Sequence, residues 1–169
     1  MNIKFITLSI LVSSVLSAYS STAVADNGVY LGAGLSNLDL DGDSSVNVSI
    51  TTGYNFLKQS FDSADIQALT LGVEVQYSDS ISGTDNVNNY SIFTAFRAYI
   101  SDLWYFKVKY GYTDFPDITL IKSDAENSHI GAGIGLGYRM NSGSFELEYV
   151  YPNKTIDASI IEFSYKYHF

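Results

Sequence analysis

Cysteine is absent from the 169 residues, which excludes a disulfide framework, a thiolate metal site and a lipidated N-terminal cysteine. Proline occurs only twice, and at this length and composition a single compact unit is expected. Basic residues are scarce, 9 against 18 acidic ones, so no basic face exists for phosphates and a nucleic-acid partner is excluded. Beyond the first 25 residues no apolar run is long enough to cross a bilayer as a helix, and helical periodicity is missing. There is no P-loop, no dinucleotide fingerprint and no cluster of histidines. No cofactor and no resident metal is therefore expected.

What is present begins with an export signal. Lys4 ends a short charged start, Phe5 to Leu16 is mostly apolar, and Ala23-Val24-Ala25 reads as an A-x-A cleavage site. Residues 1–25 are expected to be a cleaved signal peptide and residues 26–169 the mature domain. Of the charged side chains only Lys4 falls within the signal, which leaves eight basic residues against 18 acidic ones and a formal charge of −10.

From Asp26 onward apolar and polar residues alternate with period two, interrupted by clusters of Asp, Asn, Ser and Gly. Eight segments follow this pattern: 28–38, 45–57, 66–78, 89–100, 103–113, 128–140, 144–151 and 157–169. One face of these segments, exemplified by Leu31, Val48, Val73, Ile92, Val108, Ile134, Leu147 and Phe163, carries no charge. The other holds small residues, among them Gly131, Gly133, Gly135 and Gly137. It also holds every charge within a strand core: Glu74, Arg97, Lys107, Lys109, Arg139, Glu146, Glu148, Glu162 and Lys166.

Alternation alone fits a soluble β-sandwich as well as a membrane barrel. Two features favour the membrane. If the first strand runs outward, Tyr77, Tyr90, Tyr110, Tyr112, Tyr149 and Tyr151 gather at one rim. Tyr54, Phe56, Trp104, Phe106, Tyr138, Phe145, Tyr167 and Phe169 gather at the other. These are two aromatic girdles. Connection lengths also alternate, tight at Ser101-Asp102 and Asn141-Ser142-Gly143, long at 79–88 and 114–127. The stretch 58–65 departs from this rule, being long for a periplasmic turn. Backbone groups in lipid must all be paired, so the strands have to close. The expected fold is an all-β, eight-stranded antiparallel up-and-down transmembrane β-barrel, its narrow interior filled by side chains.

The chain resembles the small outer-membrane barrels of the OmpA and OmpX type, including opacity-protein-like surface antigens. Gly28-Val29-Tyr30-Leu31-Gly32-Ala33-Gly34-Leu35 is similar to their usual first strand, and the glycine-rich run from Gly131 to Arg139 to a later one. Phe163, Tyr165, Tyr167 and the final Phe169 resemble the C-terminal signal read by the outer-membrane assembly machinery. The resemblance implies a Gram-negative outer-membrane location, with membrane lipid and lipopolysaccharide around the barrel. It implies no particular activity, because barrels of this shape host unrelated functions.

The nine inward charges must pair in so narrow a cavity, and one lumenal ion-pair network is expected. Glu74 is set to meet Arg97, Arg139 to meet Glu146 or Glu148, and Glu162 shares a strand with Lys166. Such a network serves either as a plug or as an ion gate in a narrow porin-like pathway; the plug is the expected reading. The outer loops are expected to be acidic, with Asp39, Asp41, Asp43, Asp79, Asp85, Asp114, Asp117, Asp124, Glu126 and Asp157 against Lys122 and Lys154. Asp39-Leu40-Asp41-Gly42-Asp43 has the start of a calcium loop but lacks its distal glutamate, position 50 being Ile50. A solvated turn is expected there, while weak divalent bridging to lipopolysaccharide phosphates stays open. Ser128 and His129 are adjacent near the rim, but strand neighbours point to opposite faces and cannot form a nucleophile and base. No catalytic residues are assigned, and a lipid A-modifying enzyme using His129 is the least expected reading. His168 is expected to be structural at the periplasmic mouth. Asn47, Asn89 and Asn153 begin glycosylation-like triplets, read as chance. The expected role is a structural or surface-interaction protein whose extracellular ligand the sequence does not name.

Overall fold

The computed structural model describes residues 28–40, 42–61, 65–83, 87–116, 128–153 and 158–169. The signal segment lies outside the described residues. Eight strands form: β1 (Gly28–Leu40), β2 (Asp43–Ser60), β3 (Ala68–Gly83), β4 (Asn89–Tyr99), β5 (Trp104–Asp114), β6 (Ser128–Met140), β7 (Gly143–Asn153) and β8 (Ala158–His168). Each pairs antiparallel with its neighbour, and β1 closes on β8, Tyr30 facing His168 and Leu38 facing Ile160. The barrel therefore leaves no sheet edge along its wall, the condition for crossing lipid. No described helix is long and apolar enough to cross a membrane.

The alternation decides which side chains go where. Leu35, Ile92, Val108, Ile134, Leu147, Ile161 and Phe163 point outward and are half or more exposed, while Glu74, Arg97, Lys107, Glu146 and Lys166 are buried inside. A water-soluble barrel would place them the other way round. An apolar face turned outward suits a hydrocarbon surrounding.

Two details depart from the expected boundaries. The 58–65 stretch begins as strand, and its residues 62–64 lie outside the described residues. β2 continues to Ser60 opposite Ala68, after a register shift between Asn55 and Leu57. Phe56 and Leu57 are consecutive and both exposed, which strict period two cannot accommodate, so a bulge resets the phase. The amide of Phe61 donates to the Gln67 carbonyl at 2.8 Å and narrows the turn.

The second departure is the acidic segment at the first outer connection. It is not a loop: Asp39 pairs with Ser44 and Leu40 with Asp43, leaving a two-residue turn. Gly42 sits at φ +92° and its amide donates to the Asp39 carboxylate at 3.0 Å. The Asp39 side chain thus serves as the turn's acceptor, the usual job of an aspartate there. Gly42→Ala forces a side chain into the left-handed region and is expected to cost about 1–2 kcal/mol, read as a lowered urea midpoint. An unchanged midpoint would show that the turn relaxes freely. Asp43 and Asp79 likewise lie within strands and Asp114 ends one, so the described part of the acidic rim is carried by strand ends. Asp41, Asp85, Asp117, Lys122, Asp124, Glu126, Lys154 and Asp157 lie outside the described residues.

Candidate functional site

The lumen gathers charges from five strands. Glu74 comes from β3, Arg97 from β4, Lys107 and Lys109 from β5, Glu146 and Glu148 from β7, Glu162 and Lys166 from β8; all are buried. Four cations thus face four carboxylates. Lys107 Nζ donates to Glu74 at 2.7 Å and to both Glu146 and Glu148 at 2.8 Å. Lys166 Nζ reaches the same three carboxylates, with 3.2 Å to Glu74 and to Glu148. Arg97 bonds Glu74 at 2.8 Å, Asn55 at 3.0 Å and the Tyr30 hydroxyl at 3.0 Å, with its Nε 3.4 Å from Glu146. Lys109 meets Glu148 at 2.6 Å. Every carboxylate is shared among donors, which removing any one of them would disturb.

Why these strands can reach each other is a matter of what lies between them. β6 separates the lysines of β5 from the glutamates of β7, and it sends almost no side chain inward along this stretch. Lys107 pairs with Gly135, which pairs with Glu148; Tyr105 pairs with Gly137, which pairs with Glu146. With glycine in between, Lys107 crosses β6 to Glu148, and the Tyr105 hydroxyl donates to Glu146 at 2.5 Å. A Cβ on Gly137 would lie 2.0 Å from the Tyr105 ring, and one on Gly53 2.2 Å from the Tyr30 hydroxyl. Glycine here is space for a neighbour's ring.

Two of the sequence-selected charges sit apart. Arg139 pairs across from Ser144 and is half-buried, its guanidinium 6.0 Å from the centre of the Tyr99 ring. It is placed at the periplasmic mouth. Lys107 and Lys109 face Gly135 and Gly133 across the ladder, and these lysines of β5 bond Glu146 and Glu148. The strand stagger carries Arg139 below the charge layer. Glu162 sits on the outer side of that layer, opposite Glu148 in register, and is held by neutral donors: the Ser49 hydroxyl at 2.9 Å and the Gln76 amide.

Both ends of the lumen are closed by apolar side chains that the sequence reading did not single out. Outward of Glu162, the buried residues Leu38, Leu40, Phe93, Val150 and Ile160 turn inward, and Val87 and Phe115 from the connections tuck among them. The Asn47 side-chain amide fastens the Val87 carbonyl at 3.2 Å. At the periplasmic end Tyr99 stacks near Tyr105 at 5.0 Å. His168 lies 3.1 Å from Ser144 and 5.5 Å from the Tyr30 ring. The visible signal for the outer cap was a change of phase, since Leu38 and Leu40 fall on the face that is otherwise polar.

The rim pair Ser128–His129 divides as period two requires. Ser128 is on the outward side and donates to Asp114 at 2.7 Å, while His129 is buried inside near Phe115, ring centres 6.1 Å apart. Asp124 and Glu126, the expected partners of His129, lie outside the described residues. Among the described residues no cluster of three potential metal ligands occurs.

Residues 8–169 match the model of the outer membrane protein beta-barrel domain. The chain belongs to this family. Its membership places the barrel in the outer membrane, in keeping with the two girdles and the closed wall. No curated protein sequence matches the chain. Among solved structures, the outer membrane enzyme PagL aligns with a TM-score of 0.64 at 13% identity, covering 80% of this chain and 98% of that one. Neisserial surface protein A aligns at 0.53 with 10% identity, covering 88% and 100%. The N-terminal β-barrel domain of Pseudomonas aeruginosa OprF aligns at 0.52 with 13% identity, covering 83% and 97%. At such identities the shared property is the eight-stranded outer-membrane barrel itself.

Proposed function

We propose that this barrel is a closed membrane anchor with a structural or surface-interaction role, and that neither conduction nor catalysis is its task. The observation that carries this reading is the filled lumen. A lattice of four cations and four carboxylates occupies its middle, an apolar cap covers the outer end, and packed tyrosines narrow the inner one. Ions would have to separate the buried pairs and then pass an apolar constriction, a barrier to water as well as to charge. Ser128 bonds Asp114 on the outward side while His129 points inward, so these two neighbours do not serve as a nucleophile and base. Among barrels of this fold an enzyme does occur, PagL, which is why the absence of catalysis is a proposal about this chain.

The same reading includes export with cleavage after Ala25, recognition of Phe163, Tyr165, Tyr167 and Phe169 by the assembly machinery, and contact with lipopolysaccharide. A binding role would fall to the acidic outer surface.

Planar-bilayer recording of the reconstituted protein tests the central claim. The expected result is a silent membrane. Discrete current steps that change size in Glu74→Gln or Arg97→Leu protein would overturn the plug and establish the narrow channel instead.

A further inference from the structure

The outer third of the lumen has two unlike halves. Leu38 and Leu40 on β1, Val150 on β7, and Ala158 and Ile160 on β8 make one side apolar. The facing side, from β2 to β5, is lined by buried neutral polar groups: Ser45, Asn47, Ser78, Asn89, Ser91 and Thr113. The Ser45 hydroxyl donates to the Asn47 side-chain oxygen at 3.0 Å, and the Ser91 and Thr113 hydroxyls lie 2.9 Å apart. Beneath both halves the charge lattice makes a floor, where the Lys109 ammonium stands 4.6 Å from the centre of the Phe93 ring.

The halves are closed over by two side chains that belong to no strand. Val87 precedes β4 and Phe115 follows β5, and both are fully buried in the apolar cluster. They enter from the outer ends of neighbouring strands and reach over the polar wall to the apolar side opposite. The Asn47 side-chain amide fastens Val87 by its carbonyl at 3.2 Å, and the Phe115 ring stands against His129. Neither residue takes part in the strand ladder, so withdrawing it leaves the barrel wall paired. Segments of this kind open locally at a fraction of the cost of unfolding. Opening exposes hydroxyls and amides that gain water as a partner, whereas a space lined by apolar groups alone would stay dry. Burial of the two apolar side chains keeps the closed form dominant at rest.

We propose that Val87 and Phe115 are a two-peg lid over a blind vestibule, which fills with water when the pegs withdraw and ends on the charge lattice. The lid rests on the closed-anchor reading for its floor, but it adds a movement that the anchor reading does not require.

The chain's lack of cysteine makes the movement measurable. Ser91→Cys places a thiol in the polar wall, and Ala95→Cys places one further down the same inward face of β4, opposite Lys109 at the level of the lattice. Each is made with the pegs intact, with Phe115→Ala and with Asn47→Ala, which releases Val87. Heat-shifted gel mobility selects the folded barrels, and intact-protein mass spectrometry follows their modification by methanethiosulfonate ethylammonium, a small charged thiol reagent. Ser91→Cys is expected to react slowly under intact pegs and roughly tenfold or more faster when either peg is released. Ala95→Cys is expected to stay unmodified throughout. A Ser91→Cys thiol that never reacts would show a wall sealed by something other than the pegs, and equal rates with and without them would show that they close nothing. Either result overturns the lid. Modification of Ala95→Cys as fast as Ser91→Cys would overturn the blind floor, and that outcome alone would also bring down the anchor reading beneath it.

Discussion

Replacing Lys107 with Met is expected to lower the unfolding free energy of the barrel by about 3–5 kcal/mol, the range for breaking a buried ion pair from one side. Methionine keeps most of the stem's volume and removes the charge. Glu74, Glu146 and Glu148 each lose a donor within 2.8 Å, and the lumen is left with four carboxylates against three cations. Lys166 reaches the same three carboxylates, so it takes over part of the load but cannot restore the charge balance. Two consequences follow. Pairing Lys107→Met with Glu146→Gln should recover part of the loss, because the leftover negative charge is removed. Removing Lys107 and Lys166 together should cost more than the sum of the single losses, since each backs up the other. Urea titration in lipid vesicles reads the effect through Trp104, the chain's one tryptophan, which lies on the lipid side. A loss below about 1 kcal/mol, within the range of an exposed pair, would show that water reaches the lattice and that the lumen is not a dry plug.

Gly111→Ala is expected to be the most damaging small substitution in the barrel wall, costing about 3 kcal/mol or more. A Cβ at this position would lie 2.0 Å from the Ile92 carbonyl oxygen and 2.7 Å from the Phe93 Cα. These are backbone atoms of the partner strand, with Gly111 facing Phe93 in the β4–β5 ladder. No side chain can rotate away to make room, so the ladder itself must open. Gly135→Ala is the natural comparison. Its Cβ meets the Glu148 Cγ at 3.0 Å and the Leu147 carbonyl oxygen at 3.1 Å, tight contacts that a shift of a few tenths of an ångström relieves. That substitution should cost about 1 kcal/mol. Folding yield by heat-shifted gel mobility, followed by urea midpoints of the folded fraction, separates the two. Equal, mild effects would mean that β4 and β5 can spread apart, and the close approach at Gly111 would lose its significance.

The contrast between these glycines bears on how the lumen is read. Gly111 is needed by the neighbouring backbone. Gly137 and Gly53 are needed by rings, and Gly133 and Gly135 are needed so that lysines and glutamates meet across β6. A glycine-rich strand in such a barrel is therefore no sign of flexibility. It is the part of the wall that gives up its own side chains so that those of its neighbours can fill the interior.

Most of the architecture was determined by the sequence alone, and the reason is that a membrane wall imposes its rule locally. Every residue of a strand faces either lipid or lumen, with period two, so one pass along Leu31, Val48, Ile134 or Phe163 separates the faces. The girdle residues marked the membrane's edges, and the strand cores were located to within a few residues. The same parity placed Ser128 and His129 on opposite sides. What parity does not carry is height. Which inward charges meet depends on the stagger between strands, and that is set only when β1 closes on β8. For this reason Arg139 is found beside Tyr99, and Tyr30 and Tyr105 join a network of charges. The Phe56 bulge and the two-residue turn at Gly42 belong to the same class, since register across a hairpin reflects both strands together. The outer cap of Leu38, Phe93, Phe115 and Val87 was decided furthest from the sequence. It joins residues from separate strands and connections, and only the closed cylinder brings them to one point.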